Sequence, residues 1–200
     1  MPYRVAVAAS GRGSNLAALL RRLGPEEPAE VVLVISNEPD AGALAIARSN
    51  GIATAVLEDP ADSGAWLAVL TVHQADLLVL AGFLKRVPKE VVSAWRDRII
   101  NIHPALLPRH GGPGMYGLRV HAAVLEAGEP ESGATVHLVT EEYDRGPVLA
   151  QVRVPVEPGD TPERLALRVL EVEHQLLPEA VLRAAGAGHP VPFAFDPEPD

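Results

Sequence analysis

The first hundred residues alternate short apolar, β-branched runs with longer stretches of helical periodicity, and few folds accommodate that pattern. Strands are expected at Arg4 to Ala8, Val31 to Ile35, Ala53 to Leu57, Leu77 to Leu80 and Arg98 to Ile102, with helices at Asn15 to Leu23, Ala41 to Asn50, Ser63 to His73 and Lys89 to Trp95. Leu77-Leu78-Val79-Leu80 has no polar face, as a strand covered on both sides requires. Repeated strand-helix-strand units of this kind build a parallel sheet flanked by helices, so the fold class is α/β, a Rossmann-like, mostly parallel sheet in a single domain.

After Pro104 the texture changes. Residues 108–117 are rich in glycine and proline and read as a loop, Leu118 to Ala127 as a helix closed by Gly128, and Ala134 to Thr140 and Val148 to Val156 as two alternating strands. A long helix follows from Pro162 to about Ala185, with Thr161 as N-cap and Pro162 in its first turn. Residues 1–186 therefore form one unit, in which 1–100 make a βαβ half and 101–186 a second half, and 187–200 form an extended or mobile tail. No internal repeat is visible, and no linker is long enough to separate two domains.

Two hundred residues, 48% of them hydrophobic, supply a substantial core. A net charge of -9 argues against a surface that tracks nucleic-acid phosphates, so small-molecule substrates are expected rather than nucleic acid. With no cysteine there is no disulfide framework and no thiolate chemistry. The first apolar run is too short for a membrane span, and a cytoplasmic protein, monomeric or homodimeric, is expected.

Three places concentrate chemistry. Ser10-Gly11-Arg12-Gly13-Ser14-Asn15-Leu16 joins the first strand to the first helix, where backbone N–H groups and a helix N-terminus suit a phosphate. Leu16 stands where a dinucleotide fingerprint has its third glycine, and Ser36-Asn37 ends the second strand without an acidic residue, so a monophosphate is favoured over NAD. The plainer alternative is a tight turn that needs glycine for its geometry alone.

The second place is Asn101-Ile102-His103-Pro104, where two side chains two apart on a strand leave the same face. An amide there can stabilise an oxyanion and an imidazole can move a proton. The third is Asp144, in the loop between the last two strands; a carboxylate brought against the imidazole would raise its pKa above about 6.5 and keep it charged. As alternatives, Asn101 is a strand-end amide, His103 a core histidine on a carbonyl, and Asp144 a turn former. The other histidines, His73, His110, His121, His137 and His174 among them, show no metal-ligand spacing, and no catalytic metal is expected. For His121 and His137, ordinary helix and strand roles are expected.

Taken together, Ser10 to Leu16, Ala81-Gly82-Phe83, Asn101-Ile102-His103-Pro104 with Leu106-Leu107-Pro108, and Asp144-x-Gly146-Pro147 resemble the formyltransferase family that uses 10-formyltetrahydrofolate. The likeness runs from about Tyr3 to about Pro178 and is greatest to the branch that formylates glycinamide ribonucleotide in purine synthesis. It implies 10-formyltetrahydrofolate as co-substrate, with Asn101, His103 and Asp144 catalytic. It implies phosphate contacts from Gly13, Ser14 and Asn15, and a contact of Glu173 with the glycinamide portion. It further implies a folate pocket lined by Leu84, Lys85, Arg86 and Val87, with Asn101 reaching the formyl group.

Two departures stand out: Gly64 occupies a position where close relatives often carry arginine, and the loop Gly111 to Leu118 is longer than the short Pro-Gly-Leu-His form of some members. Rival readings are a formyltetrahydrofolate hydrolase, a methionyl-tRNA formyltransferase, which needs a further RNA-binding domain, a non-catalytic sugar-phosphate binding module and an NAD-dependent dehydrogenase.

Overall fold

The computed structural model describes residues 1–197. Seven strands form one sheet in the order β3-β2-β1-β4-β5-β6-β7. The strands β1 (Tyr3–Ala8), β2 (Ala29–Ser36), β3 (Ala53–Val56), β4 (Leu77–Leu80) and β5 (Ile99–His103) run parallel; β6 (Glu131–Leu138) and β7 (Val148–Pro155) are antiparallel additions. The helices are α1 (Ser14–Arg22), α2 (Gly42–Ser49), α3 (Ser63–Val72), α4 (Lys89–Ala94), α5 (Leu118–Glu126) and α6 (Pro162–Ala187).

Every expected element is present, with boundaries displaced by no more than a few residues. Thr161 caps α6 by accepting the Arg164 N–H, with Pro162 in the first turn, as the sequence predicts. The α/β class with a mostly parallel sheet is likewise the one observed.

Both faces of the sheet are covered, and the strands show it residue by residue. Along β1, Val5 and Val7 belong to a core shared with α1, α2, α5 and α6, whereas Ala6 and Ala8 face a second core built on Trp66 and Leu70 of α3 and Val91 and Val92 of α4. All four β4 residues are buried, as a two-sided strand requires. Because the chain steps from β1 outward to β3 and then returns to β4 on the other side, a crevice opens at the carboxyl ends of β1 and β4, where such sheets bind ligands.

The tail differs from a free extension over its described part. The Phe193 N–H donates to the Leu149 carbonyl on the edge strand β7, and Phe193 and Phe195 pack on the first core. The apolar side chains hold the segment against an otherwise open strand edge. Residues 198–200 of the expected tail lie outside the described residues.

Candidate active site

The crevice holds a cleft of about 510 Å³, walled by the turn after β1, the segment after β4, the end of β5, the loop before α5, the β6–β7 loop and one face of α6. At one end, Gly13 adopts a left-handed conformation, φ 81°, and a Cβ there would lie 2.7 Å from Ala43 Cα. Glycine is thus needed for geometry, as the plainer reading held. The same turn leaves the first N–H groups of α1 without a side-chain cap, and the first turn itself contains no acidic residue, so these groups are open to an anion.

Ser14 and Asn15 line this end. Asn15 is bound to a residue 158 positions away: its Nδ2–H donates to Glu173 Oε2 at 2.9 Å. Glu173 is buried on α6, and burial pushes its carboxyl up to about 7, with the Asn15 donation opposing part of that rise. Arg12, which the sequence reading passed over, also lines the cleft.

The middle of the cleft contains Asn101, His103 and Asp144 together. Asp144 Oδ2 lies 3.7 Å from His103 Nδ1 and accepts the Gly112 N–H at 2.8 Å; its Oδ1 lies 3.5 Å from His137 Nε2. His103 Nε2–H donates to the His110 carbonyl at 2.9 Å, so Nδ1 is the ring nitrogen left for chemistry.

One expectation needs correction. Burial depresses the pKa of His103, and although Asp144 and the His110 carbonyl both work to raise it, the net direction is below the ordinary imidazole value. The ring is 4% exposed, and the loss of hydration outweighs a carboxylate standing off at 3.7 Å. At rest His103 is a neutral base rather than a standing imidazolium. For Asp144, burial raises the pKa, but the neighbouring His137 and His103 rings and the Gly112 amide together carry it below the usual carboxylate value.

Sequence reasoning gave His121 and His137 only ordinary helix and strand roles and did not single out Thr135 or Gln151, yet these residues support the cluster. His137 faces Asn101 across the β5–β6 ladder, with His137 Nε2 3.1 Å from Asn101 Nδ2, and His121 lines the cleft while buried. Burial presses His121 down to about 4, and protonation of the neighbouring His103 would oppose its charging further. Beneath them, Thr135 donates to the Ala105 carbonyl and accepts the Leu107 N–H and a Gln151 amide hydrogen, which fixes the turn after His103. Alternation along β6 places Thr135 and His137 on one face of the strand, but only register shows which partners they meet.

At the other end, Leu84, Lys85, Arg86 and Val87 line the wall of the cleft, though unequally. Val87 is buried in the second core, and Arg86 donates to the Glu141 carbonyl at 2.6 Å while lying over the Tyr143 ring, stitching the segment to the Asp144 loop. Leu84 and Tyr143 leave apolar surface at the mouth. Ser10 joins the two ends: its hydroxyl donates to Asn37 Oδ1 at 2.6 Å and accepts the Leu84 N–H at 2.8 Å. Gly64 sits in the first turn of α3, its N–H donating to Asp62, away from the lining of the cleft. Among the described residues no group of three or more His, Asp or Glu side chains is arranged to hold a metal ion, and no helix is long and apolar enough to cross a membrane.

The formyl transferase family model matches residues 3–181 of this chain. The chain belongs to the formyl transferase family. Among formyl transferases, it is 46% identical over 186 residues to the chloroplastic phosphoribosylglycinamide formyltransferase of Arabidopsis thaliana, covering 89% of this chain and 64% of that one. It is 39% identical over 181 residues to the phosphoribosylglycinamide formyltransferase of Escherichia coli, covering 87% and 83%. It thus spans less than two thirds of the plant formyl transferase and most of the bacterial one. The crystal structure of phosphoribosylglycinamide formyltransferase from Anaplasma phagocytophilum superposes with a TM-score of 0.86 at 40% identity, over 94% of this chain and 89% of that one.

Proposed function

We propose that this formyl transferase moves the formyl group of 10-formyltetrahydrofolate to the amine of 5-phosphoribosylglycinamide, giving formylglycinamide ribonucleotide and tetrahydrofolate in purine biosynthesis. The observation that carries the reading is the meeting of Asn101, His103 and Asp144 midway along a cleft that ends in an uncapped helix N-terminus. Residues 1–186 act as the formyltransferase domain, with 1–100 contributing the phosphate turn and 101–186 the catalytic groups and much of the folate wall.

In this reading the substrate phosphate lies on Gly13, Ser14 and Asn15, and Glu173 meets the glycinamide portion. The folate enters past Leu84, Lys85, Arg86 and Val87. The amine attacks the formyl carbon, and negative charge develops on the formyl oxygen. Asn101 donates to that oxygen; a preorganised donor of this type contributes on the order of 3 kcal/mol at the transition state. His103, neutral at rest, accepts the proton that the amine loses through Nδ1, and Asp144 stabilises the imidazolium so formed. The tetrahedral intermediate collapses as the folate nitrogen leaves and takes up the proton held on His103 Nδ1, which returns the ring to its neutral form. The amine is itself the nucleophile, so no covalent enzyme intermediate is required, and the reaction needs no metal. The substrates are small molecules, and the setting is cytoplasmic.

The test is to mix purified protein with 10-formyltetrahydrofolate, with and without 5-phosphoribosylglycinamide, and follow folate release. Release that requires the amine is the expected result. Release without it would make the chain a formyltetrahydrofolate hydrolase, and no release in either case would leave a sugar-phosphate binding module.

A further inference from the structure

We infer that His137, held as one neutral tautomer, is a positioning residue that aims the Asn101 amide at the reacting formyl oxygen. The inference rests on the reading of Asn101 as the donor to that oxygen and goes beyond it by naming what holds the donor.

His137 Nδ1 lies 2.9 Å from the Leu138 carbonyl oxygen. A carbonyl only accepts, so Nδ1 carries the hydrogen. In the neutral ring Nε2 then carries a lone pair and no proton. Facing it at 3.1 Å is Asn101 Nδ2, an N–H donor. The two assignments agree: a lone pair takes the NH₂ end of the amide and repels the oxygen end, so the orientation of Asn101 follows from the His137 tautomer rather than from a free choice of rotamer.

The consequence is directional. An amide nitrogen has two hydrogens, and His137 takes one. The other is fixed in the amide plane, about 120° from the first by sp² geometry. Asn101 lines the cleft, and among the described residues its Nδ2 has no other acceptor, which leaves the second hydrogen for a ligand oxygen. Without His137 the amide would be free to turn its oxygen into the cleft, where it would repel an oxyanion.

Register makes this arrangement rigid. Asn101 and His137 are direct partners in the antiparallel β5–β6 ladder, His137 is 2% exposed, and Thr135, next inward on the same face of β6, pins the chain after His103. Asp144 Oδ1, at 3.5 Å from His137 Nε2, is the competing partner. It would claim Nε2 only if that nitrogen bore a proton, and Asn101 would then face an N–H with an N–H. The neutral ring is the form that holds the donor in place.

The experiment combines a direct reading with a mutational one. In the intact protein, ¹⁵N shifts of the His137 ring at neutral pH should show Nδ1 protonated and Nε2 bare; the opposite tautomer would overturn the inference without any variant having to fold. Steady-state turnover is then compared for Asn101→Ala, His137→Leu, His137→Gln and the double variant Asn101→Ala/His137→Leu. His137→Leu should lower kcat about 30-fold with KM for the phosphoribosyl substrate within about twofold, a part of the hundredfold or more that a lost oxyanion donor costs. Glutamine, whose Oε1 can accept the same N–H, should restore most of that loss, and the double variant should be no slower than Asn101→Ala alone. Multiplying losses in the double variant, or equal losses for leucine and glutamine, would mean that His137 only fills space. If Asn101→Ala itself turns over normally, the role given to Asn101 fails first and this inference falls with it. If that variant is slow but His137→Leu is not, the inference alone fails.

Discussion

Asp144 Oδ2 stands 3.7 Å from His103 Nδ1 while accepting the Gly112 N–H at 2.8 Å, so one carboxylate oxygen serves both the imidazole and the loop that borders it. The separation is too long for a strong hydrogen bond and short enough for a strong field. Burial lowers the His103 pKa and Asp144 pulls it upward. Removing the charge by Asp144→Asn should therefore move it further down. The wild-type acid limb of the turnover profile is expected below about 6.5, the unperturbed histidine value, and that of the variant lower still, with turnover reduced at least 100-fold. Histidine-ring NMR titration beside the pH-rate profile checks both. An upward shift in Asp144→Asn would mean that the field at His103 has another source.

The stability contribution of His103 has the same origin, with its sign set by linkage. Its folded pKa is depressed, so on acidification below about 6.5 the unfolded chain binds the proton first and stability falls. Glu173 runs the other way. Its folded carboxyl titrates at about 7 against an ordinary 4.5, so the native state holds a proton that the unfolded chain releases. Its contribution is fully present below pH 4.5 and is lost as pH rises through 7. Glu173→Gln should remove a drop on the order of 3 kcal/mol across that window. Urea denaturation of both proteins at pH 5 and pH 8 measures it, and parallel pH dependences would exclude the ionisation as the cause.

Much of this molecule can be read from its chain before any coordinates. Val5, Val7 and Leu77 to Leu80 announce buried parallel strands because local composition suffices for that, and Thr161-Pro162 marks a helix start because capping is local. Asn101 and His103 were legible as a pair from their spacing. The downward shift at His103 was not, since its sign depends on how deeply the loops at 110–117 and 140–146 bury the ring. The role of His137 was hidden for a related reason: its partner lies 36 residues away, and only the β5–β6 register brings the two face to face. The tail followed the same rule, since nothing near Phe193 indicates that it will bond to Leu149.

Gly111 tests how tightly Asp144 is held. A Cβ at position 111 would lie 2.5 Å from Leu107 Cδ2 and 3.0 Å from Asp144 Cβ. The leucine methyl can turn away, but Asp144 has little freedom while its carboxylate is tied to Gly112. Gly111→Ala should therefore shift the carboxylate by a few tenths of an ångström and lower kcat about tenfold, with at most about 1 kcal/mol of stability lost. Gly133→Ala makes the contrast, because its Cβ would come within 1.9 Å of the Val152 carbonyl oxygen in the sheet. That variant should lose stability first, by about 2 kcal/mol or more. Thermal melts beside turnover separate the two; a Gly111→Ala protein that melts early but turns over normally would contradict the steric argument.

Ser10 poses a question about communication between the two ends of the cleft. Its hydroxyl accepts the Leu84 N–H and donates to Asn37, while its own N–H donates to the Gly82 carbonyl. Ser10→Ala keeps the last of these bonds and breaks the other two, leaving the Leu84 amide without its acceptor at the start of the segment proposed to hold the folate. The cost to stability should be about 1 to 2 kcal/mol, but the functional effect should be uneven. KM for the formyl donor is expected to rise about fivefold, while KM for the phosphoribosyl amine stays within about twofold, because the Gly13 turn and the α1 N-terminus retain their backbone geometry. Measuring both constants decides the matter. An equal rise in the two would show that Ser10 shapes the phosphate turn itself, and no change in either would show that the Leu84 segment holds its position through Val87 and the second core.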